Sequence, residues 1–339
     1  GAGSLDMCLV KFNSEGIKQW NYTWGGSEND YGYGVALDSS GNIYVSGGTS
    51  SFGAVNYDLC LVKFNFEGIK QWNYTWGGNG DDLGYMMTLD SSGDTYLAGN
   101  TKSFGVGNWD TFLVKFSSEG IRLWNYTWGG IGVDFGWGIT LDSSGNAYVA
   151  GYTNSFGVGH SDMCLVKFNS EGIKQWNYTW GGSEGDYGRG VALDSSGNAY
   201  VAGYTYSFGA VNSDMCLVKF NSEGIKQWNY TWGGIGYDFG IGITLNSSGN
   251  AYVTGYTTSF GAGNSDIFLM KFEPDISGDG PQFPIFIPIL IGVSCAGVLA
   301  AVVIFIYLRR KRAGGLAGKE TKLFENSKND TNLNRLSAI

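Results

Sequence analysis

Proline is almost missing from this chain. It has 4 among 339 residues, and Pro274, Pro281, Pro284 and Pro288 all lie beyond residue 273. A Pro-rich linker is excluded, and no strand before residue 274 loses a backbone donor to proline. Histidine is rarer still, with His160 alone. One histidine supports neither a zinc cluster nor a Ser-His-Asp or Cys-His set, so His160 reads as a solvated loop residue and the chain as a non-enzyme. Charged residues make up 15% of the chain, too few for a disordered polyampholyte given its wealth of aromatics. Glycine is abundant instead, with 56 residues. It does not recur at every third position, which excludes collagen. It costs roughly 1 kcal/mol at each helix-interior site, which argues against a helical domain. With 20 Phe, 21 Tyr and 12 Trp, the remaining class is all-β with many tight turns.

The net charge of −9 conceals two opposite ends. Residues 309–339 carry eight Lys/Arg and three acids, leaving the rest with 13 bases against 27 acids. An acidic body repels phosphate backbones, so nucleic acid is not an expected partner. Between the two lies an uncharged run, Phe283 to Leu308, followed at once by Arg309-Arg310-Lys311-Arg312. About 20 apolar residues span a bilayer, and a basic flank marks the inner side. The expectation is a transmembrane helix over 283–308, a short stalk over 273–282, a basic cytoplasmic tail over 309–339, and an extracellular body. The opening Gly1-Ala2-Gly3 matches Gly261-Ala262-Gly263 inside a later repeat. A leader and further repeats upstream are therefore expected in the complete gene.

The body obeys one period of 52 residues. Asp6, Asp58, Asp110, Asp162, Asp214 and Asp266 mark six starts, and Trp20, Trp72, Trp124, Trp176 and Trp228 keep the same spacing. Such a period signals a repeat architecture. Each unit reads as four strands: Cys8–Phe12, Ile17–Trp24, Tyr33–Leu37 and Asn42–Val45 in the first, with Asn13–Gly16 and Asp38–Gly41 as hairpin turns. Four-stranded antiparallel units joined by longer crossings describe a β-propeller of five or six blades. The Gly-x-Gly stretches, such as Gly32-Tyr33-Gly34 and Gly188-Arg189-Gly190, supply the small residues that an inner strand needs. The Trp-Asn-Tyr-Thr-Trp strand then lies outermost. Residues 1–272 hold the last two strands of one blade, four whole blades and three strands of another, with closure expected between the two ends.

The unit Gly34-Val35-Ala36-Leu37-Asp38-Ser39-Ser40-Gly41-Asn42-Ile43-Tyr44-Val45-Ser46-Gly47, followed by Asp58-Leu59-Cys60-Leu61-Val62-Lys63-Phe64 and Gly68-Ile69-Lys70-Gln71-Trp72, resembles the beta-propeller repeat family SBBP, the "seven-bladed" repeats. The resemblance covers nearly all of 1–272. It implies a propeller and a surface role in bacteria or archaea, and it carries over no active site.

Three sets of repeated side chains are candidates for chemistry. Asp30, Asp82, Asp134, Asp186 and Asp238 stand two residues before the inner Gly-x-Gly position or its equivalent. Gathered at one channel mouth they would recruit a cation such as calcium; otherwise each caps its own loop. No other cofactor is expected. Asn21, Asn73, Asn125, Asn177 and Asn229 each begin Asn-x-Thr, and Asn246 begins Asn-Ser-Ser, so all six are glycosylation acceptors in an exported glycoprotein. Trp24, Trp76, Trp128, Trp180 and Trp232 would stack on sugar rings if exposed, making a multivalent lectin, or pack between outer strands if not. The cysteines Cys8, Cys60, Cys164 and Cys216 share one repeat position with Phe112 and Phe268, so they read as small core residues without disulfides. The functional expectation is a membrane-anchored cell-surface propeller that binds a surface protein or glycan.

Overall fold

The computed structural model describes residues 3–273 and 285–287. Every element is an antiparallel strand. Strands β1 (Met7–Phe12) and β2 (Lys18–Trp24) form a two-stranded sheet. The first complete sheet runs in chain order through β3 (Asp30–Leu37), β4 (Ile43–Thr49), β5 (Asp58–Phe64) and β6 (Lys70–Trp76). The second holds β7 (Asp82–Leu89), β8 (Thr95–Thr101), β9 (Asp110–Phe116) and β10 (Arg122–Trp128). The third holds β11 (Asp134–Leu141), β12 (Ala147–Thr153), β13 (Asp162–Phe168) and β14 (Lys174–Trp180). The fourth holds β15 (Asp186–Leu193), β16 (Ala199–Thr205), β17 (Asp214–Phe220) and β18 (Lys226–Trp232). The fifth holds β19 (Asp238–Leu245), β20 (Ala251–Thr257), β21 (Asp266–Phe272) and β22 (Ile285–Ile287).

Blade order follows the sequence expectation, with the Gly-x-Gly strand first and the Trp-Asn-Tyr-Thr-Trp strand fourth. The first strand starts earlier than its apolar run suggests, at Asp30, and the second continues to Thr49. The polar crossings before the first strand and after the second are therefore shorter than their composition implies. Hairpin geometry is set locally. The Asp38 carboxylate accepts the amides of Ser40 and Asn42 at 2.9 Å each, and Gly41 closes the turn at a φ of 79°. A positive φ of this size is natural only for Gly, Asn or Asp.

The hydrophobic core lies between sheets. Tyr44, Leu59 and Leu61 of one sheet meet Leu97, Phe112 and Val114 of the next, and the same interface recurs along the chain. Middle strands are consequently apolar on both faces, as sheets covered on two sides must be. Burying each such side chain contributes about 1.5–3 kcal/mol. Among the described residues the β1–β2 sheet has two strands, and Phe12 is 57% exposed where its repeat equivalent Phe64 is fully covered. Cys60, Cys164 and Cys216 are buried free thiols, while Cys8 is exposed on this two-stranded sheet. First strands of consecutive sheets pack against one another and fourth strands stand apart, which places the first strands innermost. A Cβ on Gly138 would sit 2.6 Å from the Arg189 carbonyl of the neighbouring inner strand, so only glycine allows that approach.

One expectation is corrected. The fifth sheet does not take its outer strand from the N-terminal pair. Leu269, Met270 and Lys271 pair instead with Ile287, Phe286 and Ile285. These three residues belong to the run 283–308, expected as a single helix. Pro284 and Pro288 bracket them, and the residue before a proline is driven to extended backbone. The rest of that run, residues 274–282 of the stalk and the tail 309–339 lie outside the described residues. Among the described residues no helix is long and apolar enough to cross a membrane.

Candidate ligand-binding face

Copies of the repeat are nearly interchangeable along their hairpin turns and outer strands, and they diverge in the crossings and along the inner strands. The central residue of the Gly-x-Gly stretch, or its equivalent, is Tyr33, Tyr85, Trp137, Arg189 and Ile241 in successive sheets. Two residues earlier stand Tyr31, Leu83, Phe135, Tyr187 and Phe239, and on the second strand Gly48, Asn100, Tyr152, Tyr204 and Tyr256. Folding brings these positions together at the end of the inner strands where each first strand begins.

The backbone singles out the same residues. Register along the inner pair slips between Gly32 and Gly34, and at the equivalent point in every other sheet. Tyr33, Tyr85, Trp137, Arg189 and Ile241 are the extra residues of these β-bulges, unpaired with the second strand. A bulge re-aims its side chain without disturbing the sheet beyond it. Consecutive bulge residues then touch. Tyr33 and Tyr85 have ring centroids 5.3 Å apart, Tyr85 and Trp137 4.3 Å, and the Arg189 guanidinium carbon lies 4.1 Å from the Trp137 ring centroid. The result is an arc of three aromatic rings ending in one cation. A second tier of Tyr152, Tyr187, Tyr204 and Phe239 supports it through contacts of 4.8, 4.7 and 4.3 Å.

Electrostatically the arc is a donor site. Arg189 is held over Trp137 and donates from Nη2 to the Tyr204 hydroxyl at 3.3 Å. Its Nε and the Trp137 Nε1 are covered and have no hydrogen-bond partner in the protein. Asn100, fully buried, accepts the Gly136 amide on Oδ1 at 2.8 Å, which fixes its amide orientation. Its Nδ2 faces the Tyr85 hydroxyl. Burial pushes the Tyr85 and Tyr152 hydroxyls up to about 12, so both keep their protons at neutral pH. Leaving a buried donor unpaired costs about 1–3 kcal/mol, so this cluster is poised for an acceptor.

The residues expected from sequence lie elsewhere. Asp30, Asp82, Asp134, Asp186 and Asp238 are each at most 1% exposed. Asp134 accepts the Thr153 hydroxyl on Oδ1, and on Oδ2 the Ser155 hydroxyl at 2.6 Å and the Gly130 amide at 2.8 Å. The other four make the same three contacts. They close their own loops rather than forming a ring of free carboxylates at a channel mouth. Among the described residues no group of three or more metal-ligating side chains converges. A second acid, Asp58, Asp110, Asp162 or Asp214, flanks the same loop glycine as Asp82, Asp134, Asp186 or Asp238, and its carboxyl is raised first by burial, with repulsion from that neighbour adding to it.

Trp24, Trp76, Trp128 and Trp180 are 5–8% exposed and lie against Phe52, Phe104, Phe156 and Phe208, with Trp232 likewise on Phe260. Covered faces of this kind complete the core, so a sugar-stacking surface is not found on the outer strands. Asn21, Asn73, Asn125, Asn177, Asn229 and Asn246 are all exposed. Lys18 donates to Asn21 Oδ1 at 3.2 Å, leaving the Nδ2 that a glycan would join outside that contact. His160 is exposed in its loop. An open groove of about 480 Å³ lies between hairpin turns that include Asp90 and Asp142. Its lining is common to the repeats and does not touch the bulge residues.

Stacked four-stranded antiparallel sheets with crowded first strands define an all-β propeller-type repeat protein. Residues 23–53, 128–157 and 179–209 match the model of the SBBP family, Beta-propeller repeat. Three separate stretches of the chain thus match the SBBP beta-propeller repeat. A crystal structure of a protein of unknown function from Bacteroides caccae is similar with a TM-score of 0.50 at 14% identity, over 86% of this chain and 94% of that one. The Pan2 WD40 domain of Neurospora crassa gives 0.48 at 10% identity, over 75% and 65%. A stretch of 139 residues, 35% of this chain, is 28% identical to Regulatory protein FlaEY of Caulobacter vibrioides. The chain spans 15% of the length of that relative.

Proposed function

We propose that this protein is a non-enzymatic binding propeller, held at the cell surface by the apolar run 283–308, whose ligand face is the arc from Tyr33 to Arg189. One observation carries the reading: repeats that keep their turns and outer strands nearly unchanged differ where their inner strands bulge. Scaffold positions are copied because every interface between sheets has the same shape. Positions that face a ligand have no such constraint and are free to specialise. Anchoring is supported by the uncharged run followed by four basic residues and by the acidic body before it. A glycan is the favoured partner class, since Tyr and Trp faces stack on sugar rings and the arc offers an exposed Tyr33 beside the part-buried Tyr85 and Trp137; the site for it is the inner arc rather than the outer tryptophans. The absence of paired catalytic groups around Arg189 among the described residues fits binding better than turnover.

The test is an array of glycans and surface proteins probed with the detergent-solubilised full chain and with Trp137→Ala. The expected outcome is a discrete set of bound ligands for the wild type. Trp137→Ala should lose them while its melting temperature stays within a few degrees, since Trp137 belongs to no intersheet core cluster. Undiminished binding by the variant would place the ligand site elsewhere.

A further inference from the structure

Resting on that site, we infer that the ligand is an acidic sugar residue, a pyranose bearing a carboxylate, with the carboxylate held at Arg189 and the ring laid on the Tyr85–Trp137 surface. Three observations converge. First, the side chains of the arc that lack a hydrogen-bond partner present donors, Arg189 Nε and Trp137 Nε1. A ligand seated beside this donor-rich guanidinium and indole is matched by acceptors, and a carboxylate brings two oxygens with several lone pairs. Second, Arg189 is the single cation among the five bulge residues, in a body with 13 bases against 27 acids. An anion repelled by the body as a whole is retained where one oriented guanidinium compensates it. The guanidinium is already oriented, stacked on Trp137 and tied to Tyr204, so little ordering entropy is lost when a carboxylate arrives.

Third, the aromatic geometry favours a puckered ring over a flat one. Tyr33, Tyr85 and Trp137 are tilted by 44° and 34° from ring to ring and are already in contact, so no parallel slot is left for a planar ligand to enter. They offer a stepped surface instead, with Tyr33 at the open end 45% exposed. The C–H face of a pyranose lies on such a surface, and the protonated Tyr85 and Tyr152 hydroxyls supply donors for its ring substituents.

Calorimetry with the full chain in detergent tests this, using a glucuronate disaccharide, its neutral glucose counterpart, benzoate and inorganic phosphate as probes. The uronate should bind, and the neutral disaccharide should bind weaker by about tenfold or more, the factor expected for losing a hydrogen bond to a charged group. Arg189→Ile, which installs the residue that the fifth repeat carries at this position, should abolish the difference between the two sugars. Arg189→Lys should restore part of it. Equal affinity for charged and neutral sugars, unchanged by Arg189→Ile but lost in Trp137→Ala, would overturn the acidic-sugar assignment and leave the binding face standing. Benzoate or phosphate binding without the uronate would overturn it as well. Uronate binding that survives both Arg189→Ile and Trp137→Ala would overturn the assignment and the face together.

Discussion

At the residue scale, the chain separates acids that hold it together from acids that strain it. Asp134 receives two hydroxyls and one amide inside its loop, so its charge is compensated by donors. Asp110, across Gly129 from it, is raised by burial and repelled by Asp134, against the amides of Gly107 and Val106. A raised carboxyl pKa means that the folded protein holds this proton more tightly than the unfolded chain does. Its ionisation therefore lowers stability at neutral pH, and that loss disappears as the pH falls through the raised value. Asp110→Asn keeps an acceptor for the two amides and removes the charge. The variant should melt above the wild type at pH 7, with the gap closing as pH approaches the ordinary carboxylate range near about 4. Thermal melts across that range check it, and a gap that widens on acidification would contradict the assigned cause.

At the element scale, the inner strand carries two opposing demands: close approach to its neighbour and display of a variable side chain. Glycine meets the first and the bulge meets the second. Gly138 faces the Arg189 carbonyl at a distance no Cβ tolerates, whereas a Cβ on Gly242, in the last sheet, meets only the Thr254 methyl at 3.2 Å. Gly138→Ala should destabilise the protein by about 1–3 kcal/mol, the usual cost of overpacking, and Gly242→Ala by clearly less. Denaturant melts of the two variants make the comparison, and equal losses would mean that inner-strand contact does not set the cost. This level of the structure was largely legible in the sequence. The 52-residue period, the turn at Asp38–Gly41 and the strand at Cys8–Phe12 were each readable from local pattern. The strand Ile285–Ile287 was not legible, because an apolar run long enough for a membrane gives no sign that three of its residues pair with β21.

On the scale of the whole molecule, symmetry builds the scaffold and departures from symmetry build the face. That is why the site was hidden to a reading that searched for repeated side chains. The repeated acids prove to be loop caps, and the repeated outer tryptophans prove to be core. Trp137 and Arg189 repeat nothing; their signal is that the residue after the constant inner glycine changes while the hairpin turns and outer strands do not. The five bulge residues reach one place only through the folding of five separate sheets, and no local pattern announces which way a bulge turns its side chain. The most direct measurement of this division is a variant in which Tyr33, Tyr85, Trp137 and Arg189 all become Ile, as Ile241 already is. Its melting curve and its array binding are to be recorded beside those of the wild type. The account predicts a folded protein with a cooperative melt and no bound ligand. A variant that folds and binds the wild-type set would contradict it.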